Sequence, residues 1–108
     1  MQENTMPKFV FVYHGGTMPE TKEEGEAVMA KWGAWMQGIG ADLADGGNPV
    51  GMSKTVFADR VEDNGGANPT SGYSLVNAAD MDAAIAHAKG CPILEAGGSV
   101  EVAEAIEM

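Results

Sequence analysis

The apolar positions of the chain fall into segments of two kinds, continuous or alternating runs and three-four-spaced stripes. Lys8-Phe9-Val10-Phe11-Val12-Tyr13 is an aromatic and β-branched run that stops at His14-Gly15-Gly16. Apolarity without alternation predicts a central strand, covered on at least part of both faces. A helix opens over residues 17–21. Thr17 with Glu20, and Thr21 with Glu24, both have capping-box spacing, and Pro19 suits the first turn. Glu20, Glu23, Glu24 and Glu26 crowd the end where the helix dipole favours negative charge. Val28, Met29, Trp32, Trp35, Met36 and Ile39 then form one apolar stripe, and Gly38 and Gly40 stop it.

The second half continues with shorter elements. Residues 41–45 predict a short, weak strand, Gly46-Gly47-Asn48-Pro49 a turn, and 53–58 another strand. Residues 59–71 read as a polar loop. Residues 72–78 alternate as a half-buried strand does. Asp80 caps a second helix whose Met81, Ala84, Ile85 and Ala88 share a face, and Gly90-Cys91-Pro92 ends it. After a loop at 93–98, residues 99–106 form the last strand, with Val100, Val102 and Ile106 alternating against Glu101 and Glu104.

The order is β-α-β-β-β-α-β, or β-α-β-β-α-β once 41–58 counts as an elaborated hairpin arm. That is the ferredoxin-like pattern, an α+β fold with an antiparallel sheet and two helices on one face. It occupies residues 7–108 as a single domain behind a flexible lead-in at 1–6. The other sheet face also carries apolar residues, and a second copy of the chain is the simplest cover for it. A homodimer packed sheet to sheet is therefore expected.

Charge narrows the partners. Sixteen acidic residues against six basic ones leave a net charge of −10 over 108 residues. Nucleic acid and anionic membrane surfaces both call for clustered Lys and Arg, so neither is expected as a partner. The single cysteine, Cys91, fits a reducing compartment. The first residues lack the basic and apolar regions of a signal peptide, and the apolar run at 9–13 is too short to span a bilayer. The expected location is cytoplasmic.

Candidate chemistry centres on His14, at the end of the first strand where the chain turns into a Gly-Gly loop. There it could face a pocket between sheet and helix and act as a general base, with Asp45 or Asp42 as its carboxylate. The competing reading is a histidine that hydrogen-bonds loop backbone. Tyr13, Trp32, Trp35 and Met36 are candidates to line an apolar ligand pocket, with Asn48 as a polar contact, although such stripes usually bury area in a core. Cys91 and His87 sit at the wrong end of a helix for a thiolate and the right end for an imidazolium. No metal-ligand spacing and no nucleotide-binding fingerprint is present, so no metal or cofactor is expected.

These pieces together resemble the YCII-related (DGPF-type) family. The resemblance runs through Phe9-Val10-Phe11-Val12-Tyr13-His14-Gly15 and through Gly40 with Asp45-Gly46-Gly47-Asn48-Pro49. It continues through Gly72-Tyr73-Ser74-Leu75-Val76 with Ala78-Ala79-Asp80-Met81-Asp82-Ala83-Ala84, and through Gly90-Cys91-Pro92 ahead of Gly97-Gly98-Ser99-Val100-Glu101-Val102. It implies a ferredoxin-like fold that dimerises into a dimeric α+β barrel. That wider group includes cofactor-independent isomerases, decomposing enzymes and oxygenases of small aromatic or lactone compounds. The family's proposed site pairs a helix-borne His with an Asp. Here no histidine lies between residues 21 and 39, Met29 stands near that place, and residues 63–69 replace the DGPF tetrapeptide. Three functions follow as expectations: binding a small organic molecule in a sheet–helix pocket, cofactor-independent acid–base catalysis through His14, or a non-catalytic dimeric scaffold.

Overall fold

The computed structural model describes residues 6–66 and 68–107; most of the expected lead-in at 1–6 lies outside them. The chain runs β1 (Lys8–His14), α1 (Lys22–Ile39), β2 (Leu43–Asp45), β3 (Lys54–Val56), β4 (Val61–Asp63), β5 (Thr70–Asn77), α2 (Met81–Ala88) and β6 (Ser99–Glu104). Single 3-10 turns at Gly40–Asp42 and Pro92–Leu94 follow the two helices. No described helix is long and apolar enough to cross a membrane.

Four strands form one antiparallel sheet in the order β2-β5-β1-β6, and β3 and β4 form a separate two-stranded ribbon. The most apolar strand, β1, lies inside the sheet between β5 and β6, as its unbroken run requires. Side chains alternate between faces along each strand. Phe9, Phe11 and Tyr13 therefore share a face with their cross-strand neighbours Val76, Ser74, Val100 and Val102. Both helices pack on this face: Ile39, Trp32 and Trp35 from α1 and Ala84 and Ala88 from α2 join Phe9, Phe11, Tyr13, Cys91 and Ile93 in one core. The opposite face carries Val10, Val12, Tyr73, Leu75 and Ala103, and none of these belongs to that core.

Three local expectations are corrected. Thr21, not Thr17, caps α1, its hydroxyl accepting from the Glu24 amide at 3.0 Å. Thr17 is tied instead to the Ala96 carbonyl, which leaves Pro19 ahead of the helix rather than in its first turn. Residues 59–71 are not a plain loop, because 61–63 form β4 against β3. A tight turn makes this ribbon: the Phe57 amide donates to the Arg60 carbonyl at 2.7 Å, and the Arg60 guanidinium lies 3.9 Å over the Phe57 ring. Gly40 ends α1 as expected, at φ 69°, a conformation open to glycine.

Candidate functional site

The end of β1 is shaped by a bulge. Register slips between Tyr13 and His14, so that Tyr13 lies opposite Gly72 but His14 lies opposite Thr70. Ser71 is the extra residue, and a bulge of this kind re-aims the side chains around it. The Thr70 hydroxyl stitches the slip by donating to the Tyr13 and Gly72 carbonyls. Ser71 Oγ is shielded from solvent and has no hydrogen-bond partner among the described residues.

His14 follows Val12 onto the sheet face away from the helices, rather than into a space between sheet and helix. Its side chain is 11 % exposed, while that of Glu101, on neighbouring β6, is 64 % exposed. The imidazole Nδ1 lies 3.2 Å from the Pro69 carbonyl, and Nε2 lies 3.0 Å from Glu101 Oε1. A carbonyl only accepts, so this bond places a proton on Nδ1 and leaves Nε2 as the working nitrogen. Glu101 reaches Nε2 from the solvent side. The arrangement is a histidine oriented by backbone and paired with a mobile carboxylate, which can hold or exchange one proton between them.

The carboxylate expected beside His14 was Asp45 or Asp42; the structure supplies Glu101. Asp45 Oδ1 accepts from the Gly47 amide at 2.8 Å and so builds the turn after β2. Asp42 lies in the 3-10 turn. Glu101 was visible only as the polar position of an alternating strand. Its role depends on the β1–β6 register, which puts it opposite Val12 and diagonal to His14.

The aromatic candidates come together on the helix face. Tyr13 and Trp32 meet edge to face with centroids 5.0 Å apart, Trp32 and Trp35 do so at 5.7 Å, and Phe11 stacks on Trp35 at 6.3 Å. Trp35 Nε1 donates to the His87 carbonyl at 2.8 Å, tying α1 to the end of α2. The Tyr13 hydroxyl donates to Ser74 Oγ, which donates to the Gly46 carbonyl, each at 2.7 Å. This buried chain joins three segments and satisfies every polar atom in it. Met36 lies over Gly46. Asn48 is on the other side of β5, its amide donating to the Tyr73 hydroxyl at 3.3 Å. Tyr13, Trp32, Trp35 and Met36 are thus assembled, and Asn48 is not with them.

Two surface hollows lie elsewhere. One, of about 210 Å³, is an apolar groove among Ile85, Ala88, Leu94, Val100 and Val102. The other, of about 740 Å³, is open and lined by residues near the two chain ends, Met6 to Lys8 and Glu104 to Glu107, with Asn77. No group of three or more His, Cys, Asp or Glu side chains that could hold a metal occurs among the described residues.

Two buried groups are held neutral. Burial pushes the Tyr13 phenol up to about 12 against the pull of its Ser74 bond, and burial pushes the Cys91 thiol up to about 11. For both, the folded state keeps a proton that the unfolded chain releases sooner. Stability is therefore full below pH 9 and falls as pH rises through about 9–12. Urea midpoints at pH 8, 9.5 and 10.5 should decrease in that order. A native thiol assay at pH 8 should label Cys91 far more slowly than in urea, and equal rates would show an accessible thiolate.

No protein-family model and no curated protein matches this chain.

Proposed function

We propose that the chain is a ferredoxin-like, YCII-related domain that works as a homodimer, with His14 and Glu101 as an acid–base pair for a small organic molecule at the seam between the stacked sheets. The observation that carries the site is the 3.0 Å Nε2–Oε1 pair, with Nδ1 held by the Pro69 carbonyl. Strand order β2-β5-β1-β6 with both helices on one face supports the fold. The apolar residues outside the core, Val10, Val12 and Leu75, support a second copy of the sheet as their cover. The resemblance in sequence points the same way.

The chemistry needs no cofactor. A ligand hydroxyl or acidic C–H inserted between Nε2 and Glu101 would give its proton to the imidazole while the carboxylate orients or repels the developing charge. The unpartnered Ser71 hydroxyl, at the bulge beside His14, is a further polar contact for such a ligand. Packing of Tyr13, Trp32 and Trp35 against one another favours this location over a sheet–helix pocket.

The test is an NMR titration of the His14 and His87 ring signals with a library of small aromatic acids, phenols and lactones. His14 signals should move with one compound class while those of His87 stay. Glu101→Gln should weaken that binding by about tenfold, the size of one charge-assisted hydrogen bond. A library that leaves His14 unmoved would favour the scaffold, in which His14 only fastens Pro69 and Glu101 to the end of β1.

A further inference from the structure

We infer that the β3–β4 ribbon is a clamp that lies on the second copy of the chain and completes the dimer interface. This rests on the homodimer proposed above and goes beyond it, since a sheet-to-sheet dimer does not require the ribbon.

The ribbon has two unlike faces. On one, the Arg60 guanidinium covers the Phe57 ring and pairs with Glu62 and Asp59. On the other, Val56 and Val61 stand directly opposite each other, 75 % and 57 % exposed. Met52, just before β3, is 93 % exposed. An isolated two-stranded ribbon is marginal in water and needs a surface to pack on. The body of its own chain does not supply one for Val56 and Val61. The radius of gyration, 15.5 Å, exceeds the roughly 13 Å of a compact domain this long, as a projecting ribbon makes it do.

Charge and area both point to a second copy as the occupant. In a chain of net charge −10, self-association needs locally neutral surfaces. The charged side chains of the ribbon are paired within it: Lys54 with Asp63, and Arg60 with Asp59 and Glu62. On the open sheet face Glu101 is paired with His14. Area is the second argument. If all four strands ran the seven residues of β1, the face would measure roughly 19 by 23 Å, about 440 Å² in projection. A standard interface takes about 800 Å² from each partner. The sheet alone falls short, and the ribbon, leaving the sheet between β2 and β5, is the apolar surface that extends it.

The experiment pairs two variants of the full chain with hydrogen exchange. Val56→Thr with Val61→Thr keeps two β-branched residues in the strands and removes their apolar contact; Val12→Thr does the same at the centre of the sheet face. Sedimentation should show a wild-type dimer and a dissociation constant raised at least about tenfold by the ribbon pair, because four substituted sites meet in each dimer. Amides over 54–63 should be protected above that constant and exchange freely below it. Unchanged affinity with the ribbon pair, but weakened affinity with Val12→Thr, would overturn the clamp and keep the sheet-to-sheet dimer. Weakening by the ribbon pair alone would keep the clamp and overturn the sheet seam. A wild-type monomer at all concentrations would overturn both, as would a ribbon equally protected in the monomer overturn the clamp alone.

Discussion

Phe11→Ala will lower the stability of the fold by about 3–5 kcal/mol, the cost of emptying a fully buried aromatic site. Phe11 is 0 % exposed at the middle of β1. It lies opposite Ser74 on one side and Val102 on the other, and Trp35 stacks on it from above. Strand neighbours on both sides and a helix overhead leave little room for the cavity to collapse. Domains of this size have about 5–15 kcal/mol in total, so the variant stands near the folding limit. Urea denaturation should show a lowered midpoint with an unchanged slope. Trp32→Ala provides the comparison. Trp32 is only partly buried, at the margin of the same cluster, and its loss should cost less than that of Phe11. Equal costs would mean that α1 sits more deeply on the sheet than this packing allows.

The contrast between these two aromatics shows what the sequence could and could not reveal. Periodicity placed Phe9, Phe11 and Tyr13 on a central strand and Trp32, Trp35 and Ile39 on one helical stripe, because both signals are local. The four-stranded sheet and the helix ends followed from the same kind of signal, and the caps at Thr21 and Asp80 are capping residues by type. Strand β4 was hidden because a single Val61 among Asp59, Arg60, Glu62 and Asp63 has no period to read; its partner strand and the Phe57–Arg60 turn create it. The site was half legible. His14 stood out as a titratable residue at a strand end. Its face and its partner depended on the bulge at Ser71 and on the β1–β6 register, which are long-range properties. Asp45 looked like a partner by type, but its carboxylate is spent on the adjacent Gly47 amide.

That same turn carries the second large effect. Gly47→Ala should destabilise the protein by about 2–5 kcal/mol, combining a strained backbone conformation with a forced shift of packed atoms. Gly47 holds φ at 73°, where a side chain is disfavoured, and its added Cβ would fall on the Tyr73 carbonyl of β5. The obstacle is backbone, so it cannot swing aside as a flexible side chain would. Relief requires moving residues 46–48 away from β5. That movement would break the Ser74–Gly46 link behind Tyr13, and the Asn48 carbonyl would lose the Tyr73 amide it accepts at 3.2 Å. Gly51→Ala, four residues on, is the control. An added Cβ there meets nothing within 4 Å, and the backbone is outside the positive-φ region. That substitution should be neutral or add about 0.4–1 kcal/mol by restricting the unfolded chain. Measured together by urea denaturation, the pair separates local strain from a general intolerance of this segment. If Gly47→Ala matched Gly51→Ala, the turn would be free to move, and the hydrogen-bond chain from Tyr13 to Gly46 would not be what anchors β2 to the sheet.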